Sequence, residues 1–436
     1  MKKRDLNFYK PAKLLLLPRY FGALFFATLS AGFFISTDFD YAKEVVIVNT
    51  PAAELGISIA SAPPIMLEKI SEGMSLLRVS PPLLYETKNK KATGELIRKQ
   101  VALAILNTET DEIFEQRFWI NEQDIKNYKK TGIISVELVP SVTNIGQIEI
   151  SWWNSFNTDY ATPNRPELII IANKYLFPSK YLSGLSEKSN NQYTDIIYVP
   201  YSKKLHLSEI VEAGKKYLET NIDQAFAELE TAKVKSRSSP GLLITDGIGR
   251  DRIRNIMVVE HVDPDGFRNA ADGGKELSER VLTIIGANQG LAYRYTGSPA
   301  GASGLAQFIQ PTYKSMVTRY PEALLIKDYN AGMANHTNAV KAMVLFFDSH
   351  KKDITSKITR KDITRSLGIT EDMLAATYNG GPGRVVTSVN KLGLAWFTNQ
   401  LKLPRTSQIL RQETLNYVKK FQAVKNLHLF ANISGS

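Results

Sequence analysis

The 436-residue chain has no cysteine and only five histidines. Without cysteine there is no disulfide scaffold, no thiol nucleophile and no thiolate-bound metal. His261 and His336 stand apart from any acidic cluster, and the "DPDG" of residues 263–266 lacks the remaining ligands of a calcium loop, so no metal is expected. There is no Walker loop, no zinc-ligand spacing and no compact basic motif with interleaved aromatics. Nucleic acid is therefore not an expected partner, and no cofactor is implied.

What the chain does have is the composition of a folded protein, with 43% hydrophobic and 22% charged residues. Its length exceeds one ordinary core and suggests two or three domains. The net charge of +11 suits a polyanionic partner such as anionic lipid or the acidic cell wall. Part of that excess lies at the N-terminus (Lys2, Lys3, Arg4, Lys10, Lys13), ahead of an apolar run from Tyr20 to Ser36. A basic head before such a run predicts a cytoplasmic tail and an N-terminal transmembrane helix within residues 1–40; a cleaved signal peptide is the rival reading. Either one exports the rest of the chain. The anchor reading makes it a single-pass inner-membrane protein with its bulk in the periplasm or extracytoplasmic space.

Residues 44–205 read as a β-rich module. "EVVIV", "SLLRV", "KQVALAIL", "GIISVELV", "IGQIEISWW", "ELIIIA" and "DIIYVPY" are short runs rich in valine and isoleucine, separated by turn-forming stretches, which suggests a β-sandwich or similar β-rich module with room for one short helix. Trp152 and Trp153 could stack on sugar, but neighbours on a strand point to opposite faces, so one of them is assigned to the core. Residues 206–240 place Leu207, Ile210, Val211, Tyr217 and Leu218 at helical spacing and end in "SRSSPG", which predicts a connecting helix and a hinge. Residues 241–430 read almost wholly as helices broken by glycine loops. The expected fold class is multidomain α+β: an N-terminal transmembrane helix, a β-rich module, then an all-α domain.

Three motifs in that last part carry chemistry. "GSPAGASGLAQFIQPTY" combines Ser298, Gly301, Ala302, Gly304, Leu305, Gln307, Phe308, Pro311 and Thr312; its small residues let backbone approach a bulky ligand, and Gln307 can donate to and accept from hydroxyl or acetamido groups. "LAATYNGGPGRV" follows at residues 374–385, with Tyr378 and Asn379, and "QETLNYVKKF" closes with Glu413, Thr414, Tyr417 and Val418. Taken together and in this order, the three resemble the lytic transglycosylases, relatives of goose-type lysozyme. The resemblance spans about 190 residues. It implies a lysozyme-like domain that cleaves peptidoglycan between muramic acid and glucosamine and leaves a 1,6-anhydro ring. Ser298, Gln307, Phe308, Tyr378 and Asn379 would line the substrate site.

Such a reaction needs a carboxyl group that protonates the glycosidic oxygen and then, as carboxylate, takes the proton of the attacking C6 hydroxyl. One group suffices because the nucleophile belongs to the substrate. In the soluble branch of the family the glutamate precedes the loop serine by nine residues; here that position is Gln289, which cannot supply a proton, and no Asp or Glu lies between Arg280 and Glu322. The membrane-bound B-type branch instead has an insertion between its acid and its loop. In "IRNIMVVEHVDPDGF", Glu260 ends an apolar helix and runs into a turn, at a shorter spacing than that branch shows. Glu260 is therefore the candidate general acid then base, although His261 and Pro264 depart from the branch's signature. A carboxylate paired with Arg252, Arg254 or His261 is the competing reading of Glu260. A catalytically inactive glycan-binding scaffold of an envelope-spanning machine is the competing reading of the chain, and a lysozyme-type hydrolase is a third. The expected partners are peptidoglycan strands, the cytoplasmic membrane through the anchor, and envelope-complex proteins through the β-rich module.

Overall fold

The computed structural model describes residues 65–88, 94–141, 143, 145–152, 155–182, 191–298, 300–360 and 369–431. Its first part runs α1 (Ile65–Val79), β1 (Tyr85–Thr87), β2 (Leu96–Asn107), β3 (Glu112–Asn121), α2 (Glu122–Thr131), β4 (Val136–Leu138), β5 (Glu149–Trp152), β6 (Asp159–Ala161), β7 (Leu168–Pro178), β8 (Tyr193–Tyr198) and α3 (Ser208–Thr231). One antiparallel sheet has the order β4-β3-β2-β7-β8, with β1 pairing to β2 off that path, while β5 and β6 form a separate ribbon. The pleat sorts the residues of β2. Val101, Leu103 and Ile105 face the main core, whereas Ala102, Ala104 and Leu106 face a smaller core under α1 with Ile70, Met74 and Leu77. Both faces of the central strands are therefore covered.

Two expectations are corrected in this part. "SLLRV" is the last stretch of α1, not a strand: Ile70, Met74 and Leu77 form a buried stripe of helical period that continues from the residues before it. The module is an open sheet with helices, not a sandwich, because α1 covers one face while α2, Phe156 and Tyr160 pack on the other.

The second part comprises α4 (Ile244–Gly247), α5 (Arg250–His261), α6 (Pro264–Arg268), α7 (Lys275–Asn288), β9 (Ala302–Ser303), β10 (Phe308–Ile309), α8 (Gln310–Arg319), α9 (Tyr329–Ala334), α10 (His336–Lys357), α11 (Glu371–Gly380), α12 (Pro382–Leu392), α13 (Trp396–Lys402) and α14 (Gln412–Asn426). It is not all-α, since β9 and β10 pair antiparallel around the glycine-rich loop. The transmembrane helix of the expected fold class has no counterpart among the described residues. Among the described residues no helix is long and apolar enough to cross a membrane, and Tyr20–Ser36 lies outside them. The long helices α3 and α10 are studded with charge, including Glu212, Lys215, Lys216 and Glu219 on one and Lys341, Asp348, Lys351 and Lys352 on the other.

Helix α3 is embedded in the fold. It crosses α7 where Gly214 and Gly286 meet: a Cβ on Gly214 would lie 2.0 Å from the Leu282 carbonyl oxygen, and one on Gly286 would lie 2.1 Å from that of Ile210. The stretch expected as a hinge is clasped by Asp348, which is fully buried. Its carboxylate accepts hydrogen bonds from Ser236 Oγ (2.6 Å), Ser238 Oγ (2.7 Å), the backbone N–H groups of Arg237 (2.7 Å) and Ser238 (3.2 Å), and the Tyr320 hydroxyl (2.8 Å). Asp348→Asn turns one accepting oxygen into a donor facing other donors, so it should cost about 2 kcal/mol or more. Urea denaturation of the variant checks this; an unchanged midpoint would mean the clasp adds nothing to stability.

Candidate active site

Helix α5 is buried along nearly its whole length, from Arg252 to Val259, because its apolar residues IMVV sit among the other helices. Glu260, at its last turn, is half-buried. Its Oε1 accepts a 2.5 Å hydrogen bond from the Tyr417 hydroxyl on α14, which leaves Oε2 as the oxygen that can carry a proton toward a ligand. Burial pushes the Glu260 carboxyl up to about 7, against the opposing influence of the Tyr417 hydrogen bond and the Lys420 ammonium, and with the help of the Glu413 carboxylate. Lys420 is buried one turn beyond Tyr417, donates to the Val262 carbonyl (3.0 Å), and is itself pulled down by burial. Glu413, Tyr417 and Lys420 stand at i, i+4 and i+7 on α14 and share the face that meets the end of α5.

The ion pairs that would make Glu260 merely structural are taken elsewhere. Arg254 is held by Glu219 and Asp251, and Arg252 lies 3.8 Å from Glu371. The His261 ring has its Nε2 2.9 Å from the Leu305 carbonyl and stacks on Tyr293 at 3.6 Å. Burial takes that imidazole down to about 3, so it is neutral and donates from Nε2.

That His261 contact brings the glycine-rich loop to the end of α5. The loop turns at Gly304, whose φ of +69° and contact with Met333 (a Cβ would lie 2.6 Å from its carbonyl oxygen) admit only glycine. Ser298 is used internally, its Oγ accepting from the Ala302 N–H at 2.9 Å. Gln307 has a φ of +49°, and its Nε2 donates to the Gly304 carbonyl (2.7 Å) and Thr296 Oγ1 (3.2 Å), leaving its carbonyl oxygen for a ligand. Phe308 is 3% exposed and meets Phe346 and Tyr378 edge-on, so it backs the wall and offers no stacking face. Tyr378 donates to the Ala306 carbonyl and stacks on Phe347 (5.4 Å). Burial raises its hydroxyl far above the ordinary range, and the Glu260 carboxylate adds to that. The Tyr378 ring therefore stands between the loop and the acid. Asn379 Oδ1 accepts from Thr414 Oγ1 (2.9 Å), and the Asn379 side chain also bonds Glu413, whose carboxyl is raised by burial.

Glu260, Tyr378, Asn379 and the Ala302–Phe308 loop are thus brought together with Tyr417, Glu413 and Lys420. Gln289 ends α7 with a φ of +44°, and its backbone carbonyl accepts from the Ala292 N–H (2.8 Å). Sequence reading missed Lys420 and Tyr293. A lysine in the buried register of α14, between Val418 and Phe421, was the available signal for the first; the second carried none. Trp153 lies outside the described residues. No family model matches the chain, and no curated protein is significantly similar to it in sequence.

Proposed function

We propose that this protein is a peptidoglycan lytic transglycosylase with Glu260 as its acid and base. The observation that carries the reading is a half-buried carboxyl, raised toward neutrality by burial and held by the Tyr417 hydroxyl, beside a glycine-built loop. Protonated at rest, Glu260 can give its proton to the glycosidic oxygen and, once ionised, take one from the C6 hydroxyl of muramic acid. The Tyr417 hydroxyl stabilises that carboxylate as it forms. The Gln307 side-chain carbonyl oxygen is available to orient the sugar, while the Asn379 amide is held by Thr414 and Glu413. The substrate implies an extracytoplasmic location. Glu413 favours a second reading, hydrolysis, because it supplies another carboxyl in electrostatic reach of Glu260. Incubation with purified peptidoglycan and mass spectrometry of the released muropeptides tests both. Anhydro products support the transglycosylase, products heavier by one water support the hydrolase, and none from either would sink both.

The pH profile is a further expected outcome. Glu260 must be protonated, so kcat/KM should fall as pH rises through about 7. Lys420 favours the ionised form, so Lys420→Met raises the pKa of Glu260 and should move that limb to higher pH. A limb that stays in place or moves down would contradict this electrostatic role.

A further inference from the structure

We propose that Phe156, supplied by the sheet module, is a positioning residue for the candidate active site, holding Tyr293 against His261 so that His261 holds the glycine-rich loop to the end of the Glu260 helix. This rests on the lytic reading above for its kinetic consequence, though not for its geometry.

Phe156 sits in the single turn Ser155–Asn157 between β5 and β6 and is fully buried. Its carbonyl accepts from the Tyr201 N–H at 2.8 Å, which fixes the turn to the chain leaving β8. Its ring meets three tyrosines: Tyr198 of β8 at 4.8 Å, Tyr293 at 5.8 Å, and Tyr295 at 6.1 Å in near-parallel stacking. The last two belong to the segment that joins α7 to β9. Tyr293 therefore contacts both an aromatic ring of the sheet module and the imidazole of His261.

The Tyr293 carbonyl accepts from the Thr296 N–H (3.1 Å) and Oγ1 (2.7 Å), which fixes the local backbone turn but not the direction of the ring. The φ of Tyr293 is +54°, a region an aromatic residue enters only when its surroundings impose it. Its hydroxyl is buried without a hydrogen-bond partner, so no polar contact orients the ring. Ring packing does, from His261 stacked at 3.6 Å and Phe156 tilted at 5.8 Å. His261 then has one polar job, the bond from Nε2 to Leu305, and Leu305 precedes the Ala306 and Gln307 of the candidate site.

Other contacts hold the two parts of the chain together independently of Phe156. Arg280 donates to Asn157 Oδ1 (3.2 Å) and to its carbonyl (2.9 Å), and Asn288 pairs with both backbone groups of Val199 (2.8 and 2.9 Å). Removing the aromatic ring at 156 should therefore loosen the stack without separating the parts. A small displacement of positioning groups can cost about a hundredfold in rate.

The test compares the full chain with Phe156→Leu, Phe156→Tyr and Phe177→Leu. Phe177 is an equally buried aromatic of the same sheet, on β7. Muropeptide release would give kcat and KM, and nitrogen-resolved spectra of the five histidine rings would report His261 directly. Phe156→Leu should lower kcat about tenfold or more with little change in KM, and shift the His261 signals. Phe156→Tyr should retain both, and Phe177→Leu should leave both near the parent values. Parental kcat and unmoved His261 signals in Phe156→Leu would overturn the proposal, as would equal losses from Phe156→Leu and Phe177→Leu. If the parent releases nothing, the lytic reading fails by itself, and unmoved or moved His261 signals still decide the positioning.

Discussion

Glu260→Gln should lower peptidoglycan cleavage by about a thousandfold or more while leaving wall binding intact. The amide keeps the size of the side chain and can still accept from Tyr417, so the cluster around it has no reason to rearrange. What it loses is the proton. General acid–base help from one group is typically about 10²–10⁴-fold, and here the same group would serve both halves of the reaction. The change also has a stability signature. A carboxyl whose folded pKa is raised to about 7 stabilises the fold fully below its unfolded value near 4.5, and that contribution is lost as pH rises through about 7. The parent should therefore lose stability between pH 5 and 8 relative to Glu260→Gln, by on the order of 1 kcal/mol or more. Muropeptide assay and denaturation at the two pH values read the two effects separately. Parental activity in the variant would remove Glu260 from the chemistry; a pH-independent stability difference would mean its carboxyl is not held neutral.

The second large effect is structural. Gly286→Ala would normally help a helix, because alanine is favoured over glycine in a helix interior by about 1 kcal/mol. At this position the new methyl would lie 2.1 Å from the Ile210 carbonyl oxygen and 2.8 Å from the Gly214 nitrogen, both backbone atoms. Neither can swing aside as a side-chain end could, so α3 and α7 must separate along their crossing. The buried face of α3 includes Ile210, Leu218, Ile222 and Phe226, all in the cores that this crossing closes. A net loss of about 3 kcal/mol or more is expected, well beyond the propensity gain. Urea denaturation would show it as a lower midpoint. A midpoint at or above the parent's would mean the two backbones are not in contact.

The sheet's central strands were legible in the sequence because their signal is local. "KQVALAIL" and "ELIIIA" are continuous β-branched and apolar runs, and they became the two strands buried on both faces. "SLLRV" misled because five apolar-rich residues fit either period; the deciding stripe, Ile70, Met74 and Leu77, starts outside it. Helix α2 was missed for a related reason, since "EQDIKNYKKT" buries only Glu122 and Ile125 and so has almost no apolar stripe. In the candidate site, Glu260 could be picked out by its place at the end of an apolar helix. Its neighbours could not, because Tyr417 and Lys420 lie more than 150 positions away in sequence. The role of Phe308 was misread for want of depth: a motif gives order along the chain but not which side of the loop a ring falls on.

The sheet covered on both sides also limits how the first part of this protein can meet anything else. Its flat surfaces are already spent, one on α1 and the other on α2, Phe156 and Tyr160. What remains among the described residues is the rim: the outer lines of β4 and β8, where backbone groups face away from the sheet, and the solvent side of α1. A second molecule would have to approach this part edge-on, by adding a strand or gripping a helix, rather than by lying across a face.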